Sequence, residues 1–320
     1  MKEGVSKFYK NNIDGILFDV DGVLIDTRLS YNLAIKKTVK HILDILNGPK
    51  TNQPVSDSII LRMRQTGGFN NDTDTTYALI LTLLVSQLTS AKELEHLLFN
   101  ATNNIDARGI NSVESYLSIR YSGAAVEKIK QKLSYPGPIG RSIVTTVFDE
   151  IFYGAKLFNQ RYGIYPQYYI GDGLIDNEKI VITRSTARFL LNRFNNSIGV
   201  VSGRSRLAFE YSLQGMSSIF NKEACIFLED EPRENAKPNP YGIRKAMGRM
   251  VMKHSIYVGD SVEDLVMVEK AKEIGLNVEF IGVYGSSARP METIQALKGN
   301  GAKLVLRSVN KLPNILNKVR

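Results

Sequence analysis

The feature that most constrains this chain is a lone apolar run near its start. Residues 13–20 read Ile-Asp-Gly-Ile-Leu-Phe-Asp-Val. That is a buried strand feeding an acidic turn that contains glycine. No partner strand follows nearby. From Thr27 to about Tyr162 the pattern is helical: Leu33, Val39, Ile42, Leu43 and Leu46 share one face, and Gly48-Pro49 closes the segment. Further helices are expected near 57–65, 73–89, 91–100, 113–133 and 141–162. Residues 168–170 and 179–182, separated by Gly171-Asp172-Gly173, are expected to form a small strand pair. After about Thr183 strand-length apolar runs alternate with helical stretches. The runs are 197–201, 224–228, 255–258 and 278–283, and 303–306 reads as a last strand. Alternation of this kind specifies a parallel sheet with helices on both faces. The first strand has to join that later sheet. The expected fold is therefore α/β: a Rossmann-like three-layer parallel-sheet core from residues 1–25 and 183–320. A mainly α-helical cap domain, 26–182, is inserted after the first strand.

Composition agrees with two soluble globular domains in 320 residues, 43% hydrophobic and 23% charged. The net charge is +9, from 41 Lys and Arg against 32 Asp and Glu. The basic residues are scattered, with no run of five, so a nucleic-acid partner is not expected. An anionic small substrate suits the charge as well as an unspecialised lysine-rich surface does. Cys225 is the single cysteine, which excludes an intrachain disulfide. It lies in an apolar run and reads as a buried structural thiol, and a reducing cytoplasm is the expected compartment. The N-terminal Lys2, Glu3, Lys7 and Lys10 do not form a signal peptide, and the longest greasy stretch, 77–88, is too short to span a bilayer. No membrane is expected. His41, His96 and His254 show no metal-ligand spacing.

Four elements stand at the ends of expected strands, the edge where ligands bind in an open parallel sheet. The first is Phe18-Asp19-Val20-Asp21-Gly22. Two carboxylates at this spacing can divide labour, one attacking while the other donates a proton. The same residues can equally be an acidic turn. The second is Val201-Ser202-Gly203-Arg204, where a hydroxyl and exposed amides can hold phosphate, or the serine can simply cap a helix. The third is Ala236-Lys237-Pro238-Asn239-Pro240, a stiff loop that suits a fixed inward charge or an ordinary surface lysine. The fourth is Gly259-Asp260-Ser261-Val262-Glu263-Asp264, whose paired acids suit magnesium or helix capping.

In this order, each at a strand end, the four elements resemble the motifs of the haloacid dehalogenase-like superfamily of phosphohydrolases. The insertion between the first two resembles the subgroup with an α-helical cap, although here Asp19 and Ser202 lie 183 positions apart, more than is usual. Gly67-Gly68-Phe69-Asn70-Asn71-Asp72 also resembles a segment of a less-characterised archaeal, cyanobacterial and plant branch. The resemblance implies a phosphatase acting on a small phosphorylated metabolite. Asp19 would attack phosphorus and form an aspartyl-phosphate, and Asp21 would be the acid and base. Mg²⁺ would be held by Asp19, the Asp21 carbonyl and Asp260, with Asp264 in support. Ser202, Gly203 and Lys237 would bind the phosphoryl oxygens. The cap would supply specificity, with Arg62, Arg64, Asn70, Asn71 and Arg108 as candidates that also read as solvated helix faces and turns. Asp21 argues for phosphate esters, since a halide leaving group needs no proton. A phosphomutase, or a non-catalytic binding protein on the same fold, is the alternative. The sequence leaves the substrate and the oligomeric state open.

Overall fold

The computed structural model describes residues 13–50, 55–69, 71–86 and 91–317. The chain divides into two compact units: Met1–Arg28 with Glu178–Arg320, and Leu29–Asn177.

The first unit is α/β. Its strands are β1 (Gly15–Phe18), β2 (Ile25–Asp26), β3 (Lys179–Ile180), β4 (Ile198–Ser202), β5 (Cys225–Phe227), β6 (Ser255–Gly259), β7 (Val278–Val283) and β8 (Val305–Leu306). Six of them form one sheet in the order β5-β4-β1-β6-β7-β8. Every pairing in it is parallel. The N-terminal strand thus lies inside the sheet, beside strands from the far end of the sequence, as its lack of a local partner requires. Side chains alternate between two cores. Ile16, Phe18, Val200, Ile256 and Val258 pack on one face. Leu17, Val201, Ile226, Tyr257 and Phe280 pack on the other. Burial on both faces explains why these strands read as continuous apolar runs. Cys225 is buried in β5, and burial pushes its thiol up to about 12, so it is a structural thiol.

Register fixes the business end of the sheet. Phe18 is level with Val200 of β4 and Val258 of β6. The next residue, Asp19, donates its N–H to the Val258 carbonyl at 2.9 Å. Asp19, Ser202 and Asp260 therefore leave three adjacent strands along one edge.

The second unit, Leu29–Asn177, is helical. Its α-helices are Tyr31–Ile45, Asp57–Gln65, Asp72–Ser86, Ala91–Thr102, Ile110–Leu117, Gly123–Leu133 and Ile143–Tyr162. Asp72–Ser86 is buried nearly all round, the position of a central helix. The segment expected as one helix over 113–133 is two, joined through a π-turn at Ser118–Ser122. Gly154 interrupts Ile143–Tyr162 with φ +70°. A Cβ there would meet the Gly173 nitrogen at 2.3 Å, so the break lets two backbones touch.

The strand pair expected at 167–182 is not formed. Residues 168–170 carry no strand. The N–H groups of Gln167, Tyr168 and Tyr169 donate instead to the buried Glu150 carboxylate, at 2.6, 2.8 and 2.8 Å. With those donors consumed, no ladder can form there. Lys179–Ile180 pairs antiparallel with Ile25–Asp26. That ladder belongs to the α/β unit, which moves the unit boundaries inward to Leu29 and Asn177. No helix among the described residues is long and apolar enough to cross a membrane.

Candidate active site

The strand ends of the α/β unit gather a compact set of charges. Asp19 is almost fully buried. Its Oδ1 accepts the Val20 N–H at 2.7 Å, and Oδ2 lies 2.9 Å from the Lys237 ammonium. Burial raises the Asp19 carboxyl above the ordinary range. Lys237 and a hydrogen bond with Ser202 oppose that rise, and Asp264 adds to it.

Lys237 reaches this point from the proline-flanked loop before the helix Tyr241–Arg249. Its Nζ also donates to Asp264 Oδ1 at 2.7 Å. Burial alone would depress the ammonium, but the charges of Asp19 and Asp264 outweigh it and hold Lys237 well above its usual value. A buried, charged ammonium beside a buried carboxylate can hold an anion.

Asp264 is fully buried, and its two oxygens are saturated. Oδ1 accepts from Lys237 and from the Tyr257 hydroxyl at 3.1 Å. Oδ2 accepts from the Asp260 and Ser261 N–H groups, each at 3.2 Å, and from Ser261 Oγ at 2.8 Å. Ser261 in turn accepts the Asp264 N–H, a reciprocal capping box at the start of Val262–Glu273. The two open readings of this acid, helix cap and site residue, thus describe one side chain. Toward the site, its Oδ1 holds Lys237.

Asp260 carries the opposite signature. Burial, then Asp264 and Asp19, push its carboxyl well above the usual value, with Lys237 opposing. Gly22 leaves room for it: a Cβ on Gly22, whose φ is +74°, would sit 1.9 Å from Asp260 Oδ2. Asp21 completes the first motif. Its side chain keeps 30% exposure, yet loss of water pushes the carboxyl up to about 7 against the opposing charge of Arg204. Ser202 is buried at the end of β4, and Gly203 is exposed with open space where a Cβ would stand.

These donors fit a divalent cation. Asp19, Asp260 and Asp264 bring carboxylate oxygens within 4.8 Å of one another. The set is all oxygen, as Mg²⁺ prefers. Like charges crowd at Asp19 and Asp260, and a cation there would relieve them. Asp264, already accepting five hydrogen bonds, supports the set from behind.

The structure brings Asp19, Asp21, Ser202, Gly203, Lys237, Asp260 and Asp264 to one sheet edge. The helical-unit candidates have partners of their own. Arg62 donates to Thr102 and Asn103 and covers the Phe99 ring at 4.2 Å. Arg64 holds Asn32 and Asp72. Asn71 accepts the N–H groups of Thr73 and Asp74 as the cap of Asp72–Ser86. Arg108 pairs with Asp106 in solvent. Asn70 lies outside the described residues.

Sequence reasoning overlooked Arg204, Glu178 and Tyr257. Arg204 directly follows Ser202-Gly203, and a bulky cation so near a strand end was the available signal. Glu178 has no local signal at all.

No protein-family model matches the sequence, and no curated protein matches it. Solved structures do. The phosphatase Tt82 from Thermococcus thioreducens is 22% identical with a TM-score of 0.59, over 89% of this chain and 99% of that one. A structural-genomics target is 16% identical with a TM-score of 0.65, over 96% and 99%. A HAD hydrolase of family IA, variant 3, from Entamoeba histolytica is 13% identical with a TM-score of 0.51, over 96% and 99%. The fold of this chain is the haloacid dehalogenase-like fold with an inserted helical unit.

Proposed function

We propose that this chain is a magnesium-dependent phosphatase of a small phosphorylated metabolite, working through an aspartyl-phosphate on Asp19. The observation that carries this reading is the Asp19–Lys237–Asp264 relay, with Asp21 and Asp260 on the same sheet edge.

Asp19 attacks phosphorus as its ester bond breaks. Lys237, fixed by Asp264, which Tyr257 in turn holds, neutralises the phosphoryl oxygens that would otherwise repel a carboxylate. The Ser202 hydroxyl and the Gly203 amide hold the remaining oxygens. Asp21 gives its proton to the departing alkoxide and then takes one from the water that releases phosphate. A carboxyl raised to about 7 suits both tasks near neutrality. Asp19 and Asp260, with the Asp21 carbonyl, would hold Mg²⁺. When bound, the ion supplies positive charge to the transferring group and aligns it for in-line attack.

The test is phosphate release from a panel of sugar phosphates, phosphoglycolate, histidinol phosphate and nucleotides, with Mg²⁺ or with EDTA. Wild type should turn over at least one compound, only with Mg²⁺. Asp19→Asn should lose about 10⁴-fold or more, the scale of removing a nucleophile. Activity that survived in Asp19→Asn would overturn Asp19 as nucleophile.

A further inference from the structure

Arg204 is the largest fully buried side chain described. A buried ion pair is seldom the most stable way to fill a core, because desolvating two charges offsets their attraction. Its neighbours are specific. Arg204 Nη2 donates to both oxygens of Glu178, at 2.6 and 2.5 Å. Glu178 is 1% exposed and also accepts from Ser212 Oγ at 2.6 Å. From this anchor the other end of the guanidinium, Nη1, reaches Asp21 Oδ1 at 3.1 Å. That is the one side-chain hydrogen bond on the Asp21 carboxylate among the described residues. Arg204 thus engages Oδ1, and no side-chain hydrogen bond falls on Oδ2 among the described residues.

We propose that Arg204, anchored by Glu178, is the positioning residue that orients Asp21 for proton transfer. The inference rests on the phosphatase reading above. In the step concerned, the Asp19 oxygen bonds to phosphorus and the bond from phosphorus to the ester oxygen breaks. Its electron pair goes to that oxygen, and the Asp21 proton goes with it. An arginine fork suits the task because its planar donors fix two carboxylates at a set distance, which a lysine cannot do. Glu178, buried and accepting from Nη2 through both its oxygens, holds the guanidinium plane in place.

The leaving group separates positioning from general structural damage. An alkyl alkoxide needs a proton to depart, whereas acetate leaves acetyl phosphate without one. The experiment measures kcat/KM, which reports steps through the first phosphoryl transfer, on the best alkyl phosphate of the panel and on acetyl phosphate. The variants are Arg204→Lys, Arg204→Met, Glu178→Gln and, as the reference for a lost acid, Asp21→Asn. Arg204→Met should lose about 10²-fold or more on the alkyl ester, the usual scale of general-acid catalysis, and less than about fivefold on acetyl phosphate. Arg204→Lys, which keeps the buried charge and favours folding, should show the same selective loss, and Glu178→Gln a smaller one. Equal losses on both substrates, or none on either, would overturn the assignment while leaving Asp19-dependent turnover intact. Absence of any Asp19-dependent turnover in wild type would instead sink the phosphatase reading, and this inference with it.

Discussion

The two units bury charge in different ways. In the helical unit, the buried acids accept hydrogen bonds from neutral donors, and at Asp149, raised to about 6 by burial, the nearby charge of Arg161 also acts. Glu150 accepts three backbone N–H groups. Asp74 accepts from the Tyr135 hydroxyl, and Asp149 from that of Tyr162. In the α/β unit, buried charges meet other charges. Asp19, Asp264 and Lys237 form one chain of contacts, and Asp21, Arg204 and Glu178 another. Burial raises the carboxyls of Asp19 and Asp260, and like charges nearby add to the rise. The acids of the helical unit hold backbone or a neighbouring side chain in place. Crowded ones store an electrostatic demand that a cation can meet.

Breaking this contrast starts with the strongest effect. Lys237→Met should cut turnover about 10²–10³-fold, the range for losing one preorganised donor to a developing charge, while circular dichroism stays native. A small loss in kcat would remove Lys237 from the phosphoryl site. Glu150→Ala should do the reverse. It strands three buried N–H groups and should cost about 2–4 kcal/mol of stability, seen as a lower denaturant midpoint. If melting were unchanged, Glu150 would not be the organiser of 167–169.

Asp260→Asn sharpens the comparison through pH. The folded carboxyl sits above its unfolded value, so the folded state binds the extra proton. Its destabilising effect is absent at low pH and grows as pH rises through that window. In EDTA, the asparagine variant should melt about 2–4 °C above wild type at pH 8, with less gain at pH 5. A loss at both values would mean that Asp260 is satisfied as the helical-unit acids are. Arg108→Ala should do least, because its pair with Asp106 is exposed: stability should change by less than about 0.5 kcal/mol and kcat/KM by less than about twofold. A tenfold fall would give Arg108 a part in substrate recognition after all.

Much of the α/β unit could be read in advance. Apolar runs marked its strands, and Asp19, Ser202 and Asp260 each stand where such a run stops. Lys237 was legible through its proline loop. Contacts between residues far apart in sequence were not. Lys179–Ile180 pairs with Ile25–Asp26, and nothing local in either segment records it. Glu178 reaches Arg204 across 26 positions, a match that only the folded chain reveals. The Gly154 break was hidden because the apolar period continues through it, while its cause is the backbone of Gly173. Asn71 was open to both a recognition and a turn reading, and its contacts are those of a helix cap.

The inner position of β1 has a consequence for synthesis. Gly15–Phe18 is made before the helical unit, but both its sheet neighbours, β4 and β6, are made after the whole of it. Ile16 waits for Ile198, some 180 residues later. The helices of Leu29–Asn177 can form local contacts meanwhile, since helical contacts close short loops. The nascent chain therefore carries a fully apolar, unpaired strand throughout that interval. The surroundings of Asp19 at its end are assembled last, after the strand before the lysine loop and the one bearing Asp260 have emerged.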